Sequence, residues 1–308
     1  MINRDSVWLN YFFVVAVMIL WGLNVVALKV LVDHMPPASM QALRVLAAGL
    51  VIVVIITWNR EWKKLKATEW KYMLIAAGLG VTAHHLLLAY GLTLTSAVNT
   101  SLILALVPLT TSILAVLFLG DRLTKWRLFG VLLGFIGVFF INAAGTGSSI
   151  GALSIGDIIV FLAMFVQAAS FIYIKKATNT VQPRLLTGCM FIAGALGIGM
   201  YSVWAEPGGF LRVFEAPLYV WLVFLGSSVF ATALGHQLFN RSIQKIGAGE
   251  TAVFNNLVPF FGLISSAVLL NENVGAAQWI GFIIIVIGVL LGTGYVEQKW
   301  FHHRKIAS

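Results

Sequence analysis

Three histidines inside apolar sequence are the side chains best suited to move a proton or to bind a polar substrate. His84 and His85 share one apolar stretch, and His236 lies in another. Histidine titrates near neutral pH, so it can relay a proton or hydrogen-bond a substrate. The alternative is a structural contact between helices. The sequence has no His-Glu-x-x-His pattern and no carboxylate at ligand spacing, so we expect no metal site and no cofactor.

A basic residue in apolar sequence, Arg44, is a candidate charge partner. It lies seven residues after Pro37. We expect it toward the outer end of its helix, where it either pairs with Asp33 or Asp157 or attracts the carboxylate or phosphate of a substrate. Lys29, the other basic residue of this kind, is expected to extend its ammonium group to the membrane interface.

Amide and aromatic side chains complete the set of candidate binding residues. Asn24 is costly in a membrane unless it hydrogen-bonds across helices or faces a cavity, and Trp21 could offer a stacking surface beside it. Gln167, Ser170 and Tyr173 share one face of a predicted helix. For each of these residues, packing between helices is the competing interpretation. Besides the three histidines, the candidate substrate-binding residues are Trp21, Asn24, Tyr90, Asn99, Gln167, Tyr173, Asn255 and Asn256.

The carboxyl half of the chain repeats the amino half at an offset of 151 residues. Pro108 falls on Pro259 and His85 falls on His236. Each proline removes one helical hydrogen bond, so it produces either a static kink or a flexing point for alternating access. We therefore take Pro108 and Pro259 as candidate hinges. A duplicated membrane protein is a transporter candidate.

The composition is that of a membrane protein. Of the 308 residues, 60% are hydrophobic and 10% are charged, whereas soluble domains carry about 25% charged residues. A helix needs about 20 apolar residues to span the bilayer. Ten stretches meet this need: Trp8–Val32, Ala38–Trp58, Trp70–Leu92, Ala97–Leu119, Trp126–Ala143, Asp157–Ile174, Leu185–Trp204, Leu218–Phe239, Ala248–Leu270 and Ala277–Tyr295.

The basic residues lie in alternate linkers. Seventeen of the twenty Lys and Arg residues fall in one set of linkers and termini, which the positive-inside rule predicts to be cytoplasmic. Both termini are then cytoplasmic, in a multi-pass protein of the cell inner (plasma) membrane. The net charge of +9 is accounted for by this topology, so no nucleic-acid partner is expected.

Ten spans divide into five plus five. Because five is odd, the second copy enters the membrane from the opposite side, which predicts an inverted repeat around a central cavity. We assign the first repeat to residues 1–145, the second to residues 152–296 and a basic cytoplasmic tail to residues 297–308. The fold class predicted is an all-α integral membrane protein.

These features resemble the EamA-type transporters of the drug/metabolite transporter superfamily, which have ten spans and two repeats. The resemblance rests on Trp21-Gly22-x-Asn24, on Gly247-Ala-Gly-Glu-Thr-Ala252, and on the paired Val107-Pro108 and Val258-Pro259. It implies a basket of helices around a cavity that opens alternately to each side. It further implies that spans one, three, four, six, eight and nine line the cavity.

The function predicted is a secondary exporter of small metabolites such as amino acids, acting without ATP as a monomer or weak dimer in the lipid bilayer. No Asp or Glu lies at the centre of a predicted span, which favours a neutral, zwitterionic or anionic substrate over a lipophilic cation. Transport is either facilitated diffusion or coupled to protons through histidine. A flippase of lipid-linked precursors, and less so a membrane-embedded enzyme, are the alternatives.

Overall fold

The chain forms a bundle of helices. The computed structural model describes residues 4–119, 124–144, 154–239, 254 and 257–292, and in these ranges no strand occurs. The all-helical fold expected from the sequence is confirmed. The helices are α1 (Arg4–His34), α2 (Pro37–Trp58), α3 (Ala67–Leu94), a two-part α4 (Ala97–Leu104 and Val107–Leu119), α5 (Lys125–Ala144), α6 (Ile155–Thr178), α7 (Pro183–Ala205), α8 (Leu218–Phe239), α9 (Leu257–Leu269) and α10 (Ala276–Gly292).

Length and composition suit most of these helices to a membrane. Within the described ranges, seven helices (α1 to α4 and α6 to α8) are long and apolar enough to cross a bilayer, while α5, α9 and α10 contain shorter apolar stretches. The exposed fraction of Phe12, Leu117 and Leu222 is 63% to 69%. Large apolar side chains exposed in this number would be unfavourable in water but are favourable against lipid.

Charged residues divide the bundle into two ends. At the basic end, Arg184 at the start of α7 binds Glu61 after α2, with 2.7 Å between Nη1 and Oε1. At the opposite, acidic end, two carboxylates cap helices that begin there. Glu206 accepts from the backbone N–H groups of Ala38 and Ser39 in α2, and Glu272 accepts from those of Ala97 and Val98 in α4. A carboxylate stabilises a helix start because it satisfies free N–H groups and matches the helix dipole.

Two helices change their winding in the middle. Residues Gly78–Ala83 of α3 and Gly226–Leu234 of α8 are π-helical. Adding the repeat offset of 151 to 78–83 gives 229–234, which lies inside the second segment. Each segment ends just before a histidine of the pair His85 and His236. π-helical turns inside α-helices are frequent at functional sites, and they shift the side chains that follow them.

Helix α4 is interrupted rather than merely kinked. Its first part ends at Leu104 and its second begins at Val107, so Pro108 occupies the second position of the new helix. A proline is tolerated there because the first N–H groups of a helix have no partner within it. Pro259 is likewise in the first turn of the described part of α9.

Helices α5 and α10 meet through glycines in a reciprocal way. A Cβ atom built on Gly137 would lie 3.0 Å from the oxygen of Gly281, and one built on Gly288 would lie 2.8 Å from the oxygen of Gly130. At the repeat offset of 151 residues, Gly137 corresponds to Gly288 and Gly130 corresponds to Gly281. The two contacts are therefore equivalent in the two repeats. Small residues let these two backbones approach closely, as is common between membrane helices.

Candidate functional site

A buried group of polar side chains joins four helices in the interior. We call it the Arg44 cluster; it comprises Asn24 from α1, Gln41 and Arg44 from α2, His85 from α3, and Ser227 and Thr232 from α8. At about 1.5 Å per helical residue, Arg44 lies about 10 Å from the start of α2 and Asn24 about 15 Å from the end of α1. The hydrocarbon core is about 30 Å thick, so the cluster as a whole lies near mid-depth.

Neutral side chains surround the guanidinium of Arg44, which is only 1% exposed. Its Nε donates to Gln41 Oε1 at 2.8 Å, and its Nη1 donates to Ser227 Oγ at 3.1 Å and to Thr232 Oγ1 at 2.9 Å. Its Nη2 lies 3.2 Å from His85 Nδ1. Ser227 Oγ in turn donates a hydrogen bond to Asn24 Oδ1 at 2.5 Å.

The predicted pairing of Arg44 with Asp33 or Asp157 is wrong. Asp33 binds Lys29 at 3.1 Å, and Asp157 accepts from Thr95 Oγ1 at 2.5 Å. Both acids lie at helix ends, while Arg44 lies one and a half to two turns deeper. Among the described residues, no carboxylate comes within 4.0 Å of a nitrogen of the Arg44 guanidinium.

Hydrogen-bond chemistry fixes the roles of the three histidine rings. A guanidinium only donates, so Nδ1 of His85 accepts from Arg44, and this ring is neutral with its proton on Nε2. A carbonyl oxygen only accepts, so Nδ1 of His84 donates to Ala163 at 2.9 Å, and Nδ1 of His236 donates to Thr232 at 2.7 Å. Nδ1 therefore accepts a hydrogen bond in His85 and donates one in the repeat-related His236.

Trp21 and His236 lie beside the cluster, against the π-helical segment of α8. The indole Nε1 of Trp21 donates to the carbonyl oxygen of Ala231 at 2.9 Å. The rings of Trp21 and Phe191 lie 5.1 and 5.6 Å from the His236 ring, centroid to centroid. Trp21 and His236 thus satisfy carbonyl groups of the π-helical segment, and together with Phe191 they form an aromatic group next to the cluster.

Four other predicted binding residues are not among the described hydrogen-bond partners of Arg44. The hydroxyl of Tyr90 donates to Glu206 at 3.0 Å, at the acidic end of the bundle. Asn99 Nδ2 donates to Asp157 at 3.3 Å at the same end. On α6, the backbone oxygen of Gln167 accepts from Ser170 Oγ, and the ring of Tyr173 has the ammonium of Lys176 5.9 Å from its centre.

The remaining expectations have mixed outcomes. Asn255 and Asn256 lie outside the described residues. Lys29 donates to the backbone oxygen of Leu92 near the acidic end. A cavity of about 600 Å³ opens at the acidic end, beside His34, Glu206 and Arg212, and not at the Arg44 cluster. In the part of the chain that the structure describes, no three metal-binding side chains converge.

Three residues of the cluster were not predicted from the sequence. Gln41 precedes Arg44 by three positions, a spacing that places two side chains on the same helix face and could have revealed it. Ser227 and Thr232 are five residues apart, so they share a face only because α8 is π-helical there. That spacing gives no signal in an α-helical reading of the sequence.

An all-helical bundle of membrane-length helices with a buried polar centre defines a multi-pass membrane protein with an internal site. The chain belongs to the EamA-like transporter family, whose model matches residues 8–143 and again residues 154–293. The two matches confirm the family resemblance and the duplication. They indicate a transporter rather than an enzyme.

Relatives and a solved structure agree with this assignment. An uncharacterized transporter of Bacillus subtilis, YyaM, is 29% identical over 87% of this chain and 88% of its own length. A WAT1-related chloroplastic protein of Arabidopsis thaliana is 23% identical over 93% of this chain and 70% of its own length. One crystal structure matches with a TM-score of 0.63 at 17% identity, covering 96% of this chain and 99% of the matched chain, which indicates a shared fold.

Proposed function

We propose that this protein is a secondary carrier that exports small metabolites from the cell, with the Arg44 cluster as its substrate site. The observation that carries the proposal is the cluster itself. It joins α1, α2, α3 and α8 near mid-depth, where polar groups in a membrane protein are costly unless they serve a pathway or a site. Trp21 and His236 would form the apolar side of the site.

Alternating access is the mechanism that we propose, through ten spans arranged as an inverted repeat of five plus five. The reciprocal glycine contacts between α5 and α10 support a pseudo-two-fold axis between these helices. The equivalent π-helical segments of α3 and α8 support it as well. Rocking of one half against the other would open the cluster to each side in turn.

The proposed orientation places the basic end in the cytoplasm of a cell whose inner (plasma) membrane holds the protein. At this end the loop before α3 carries Arg60, Lys63, Lys64 and Lys66, the last turn of α6 carries Lys175 and Lys176, and the first turn of α7 carries Arg184. Both termini would then be cytoplasmic. A single buried arginine favours a neutral, zwitterionic or anionic substrate, because its charge repels a cation.

Reconstitution into liposomes tests the carrier. We load liposomes containing the purified chain with an isotope-labelled extract of small cell metabolites and measure by mass spectrometry what leaves. We expect a subset of metabolites to leave wild-type liposomes, and their exit to fall at least about tenfold in Arg44→Gln, since a lost charge-assisted hydrogen bond costs about 1.5–3 kcal/mol. The control is Arg212→Gln, which removes an exposed arginine of the acidic end.

Two results would contradict the proposal. One is that wild-type liposomes release nothing faster than empty liposomes do. The other is that Arg44→Gln releases metabolites as fast as Arg212→Gln does, although both variants insert equally.

A further inference from the structure

Arg44 carries a buried positive charge that the described part of the protein does not neutralise. Among the described residues, the two ion pairs join Lys29 to Asp33 and Arg184 to Glu61, both near helix ends, and neither includes Arg44. Three titratable side chains, His84, His85 and His236, interact electrostatically with Arg44. None of these can supply a negative charge. An unpaired buried charge is unfavourable, so the site favours an anion.

The hydrogen bonds around Arg44 also favour an added acceptor, independently of its charge. Ser227 Oγ and Thr232 Oγ1 accept from Arg44 and donate their own protons to Asn24 and to the backbone oxygen of Ser227. His85 Nδ1 and Gln41 Oε1 each accept from Arg44 as well. The side-chain acceptors that face the guanidinium are therefore already engaged.

Donors, by contrast, remain free. Arg44 has five N–H groups and four described acceptors, so one N–H is left over. Gln41 is fully buried, and its Nε2 has no hydrogen-bond partner among the described residues. Its oxygen is bonded to Arg44, so its two N–H groups lie next to the guanidinium. A buried donor without a partner costs free energy unless a ligand satisfies it.

We infer that the missing partner is the carboxylate of the substrate, bound between Gln41 Nε2 and the free N–H of Arg44. This inference rests on the proposed function and names the substrate class for the same site. A carboxylate brings one negative charge and two acceptor oxygens, which match one guanidinium and the free donors of Gln41. A phosphate monoester carries up to two charges near neutral pH, so it would exceed the single cation of the cluster.

Substitutions of Gln41 separate this role from a structural one. Gln41→Leu removes the Nε2 donors, together with the Oε1 that accepts from Arg44 Nε, at similar volume. We expect the export efficiency for carboxylates to fall about tenfold to a hundredfold, the range of one hydrogen bond to a charged group. Gln41→Glu supplies a carboxylate within the cluster. We expect it to raise the melting temperature of the unliganded protein and to abolish export. If Gln41 had a purely structural role, the melting temperature and the export would fall together in both variants. The control is Gln182→Leu, at an exposed glutamine whose side chain makes no capping hydrogen bond at the start of α7.

The test uses the same liposomes and the same labelled extract, with part of the extract treated to convert carboxylic acids into methyl amides. We expect every metabolite that leaves to carry a carboxylate, and we expect the treated compounds to stay inside. Exported metabolites without a carboxylate, or export that persists after the treatment or in Gln41→Leu, would overturn the inference while leaving the carrier intact. Release of nothing at all would overturn the carrier and the inference with it.

Discussion

At the scale of single residues, the partners of Arg44 determine how its guanidinium meets a substrate. Each Nη atom is held by a side chain from another helix: Ser227 and Thr232 from α8, and His85 from α3. Such a network fixes the direction of the remaining N–H group of Arg44 before a ligand arrives. Fixing the donors in advance reduces the entropy lost on binding.

Loss of the His85 acceptor should therefore impair transport without unfolding the protein. His85→Ala leaves a donor of Arg44 without its partner, which costs about 1–3 kcal/mol, so we expect export from the loaded liposomes to fall about fivefold to a hundredfold. His85→Asn can keep an acceptor oxygen in the place of Nδ1, so it should retain more export than His85→Ala. His236→Ala should also reduce export, since it removes the ring between Trp21 and Phe191.

Membrane expression and insertion of each histidine variant serve as the control for that measurement. Both alanine variants should reach the membrane in wild-type amounts. Unchanged export in both of them would remove the histidines from the proposed site.

The sequence predicted several residues of the site but not which of the candidates belong to it. Arg44, His85 and Asn24 stood out because charged or amide side chains are rare in apolar helices, and rarity is visible in a sequence. Tyr90 and Asn99 were equally rare, yet they lie within four residues of a helix end and bind the acids there. Depth along the helix, counted from its ends, would have separated the two groups.

At the scale of helices, the two π-helical segments position the site. The segment of α8 brings Ser227 and Thr232 onto one face, and both accept from the same Nη1 of Arg44. Thr232 Oγ1, Trp21 Nε1 and His236 Nδ1 then satisfy three carbonyl groups of this segment. A π-helical turn depends on such tertiary partners, so local sequence preference could not predict it.

Packing of α5 against α10 should depend on the absence of a side chain at Gly288. A Cβ atom there would lie 2.6 Å from the nitrogen of Gly134 and 2.8 Å from the oxygen of Gly130, and backbone atoms cannot rotate away. We expect Gly288→Val to destabilise the protein by about 1–3 kcal/mol, as overpacking usually does. The measurement is the melting temperature of the purified protein in detergent.

The matched control for that substitution is Gly78→Val. A Cβ atom at Gly78 would have no heavy atom within 4 Å. The free energy of unfolding of this variant should therefore lie within about 0.5 kcal/mol of the wild-type value. Equal melting temperatures for Gly288→Val and the wild type would contradict the close approach of α5 and α10.

At the scale of the whole molecule, duplication was the property that the sequence predicted best. A fixed offset of 151 residues needs no structure to be seen, and the family model indeed matches twice. The sequence could not show which helices the two copies bring together, because the partners of Gly137 and Gly288 lie about 150 residues away along the chain. The proposed orientation in the membrane rests on the distribution of charge.

Cysteine labelling tests that orientation in intact cells. Cys189, the single cysteine of the chain, is first replaced by alanine. New cysteines are then placed at Ser148, between the two repeats, and at Lys64, in the exposed basic loop between α2 and α3. With Lys64 in the cytoplasm and Ser148 outside, a membrane-impermeant thiol reagent added to cells should label Ser148→Cys and spare Lys64→Cys.

Inverted membrane vesicles provide the reciprocal measurement, since they expose the cytoplasmic face to the reagent. Lys64→Cys should now react and Ser148→Cys should be protected, because the positive-inside rule holds basic loops on the cytoplasmic side. The reverse pattern in both preparations would turn the proposed orientation around. Labelling of both positions from the same side would contradict the odd number of spans between them, and with it the inverted relation of the two repeats.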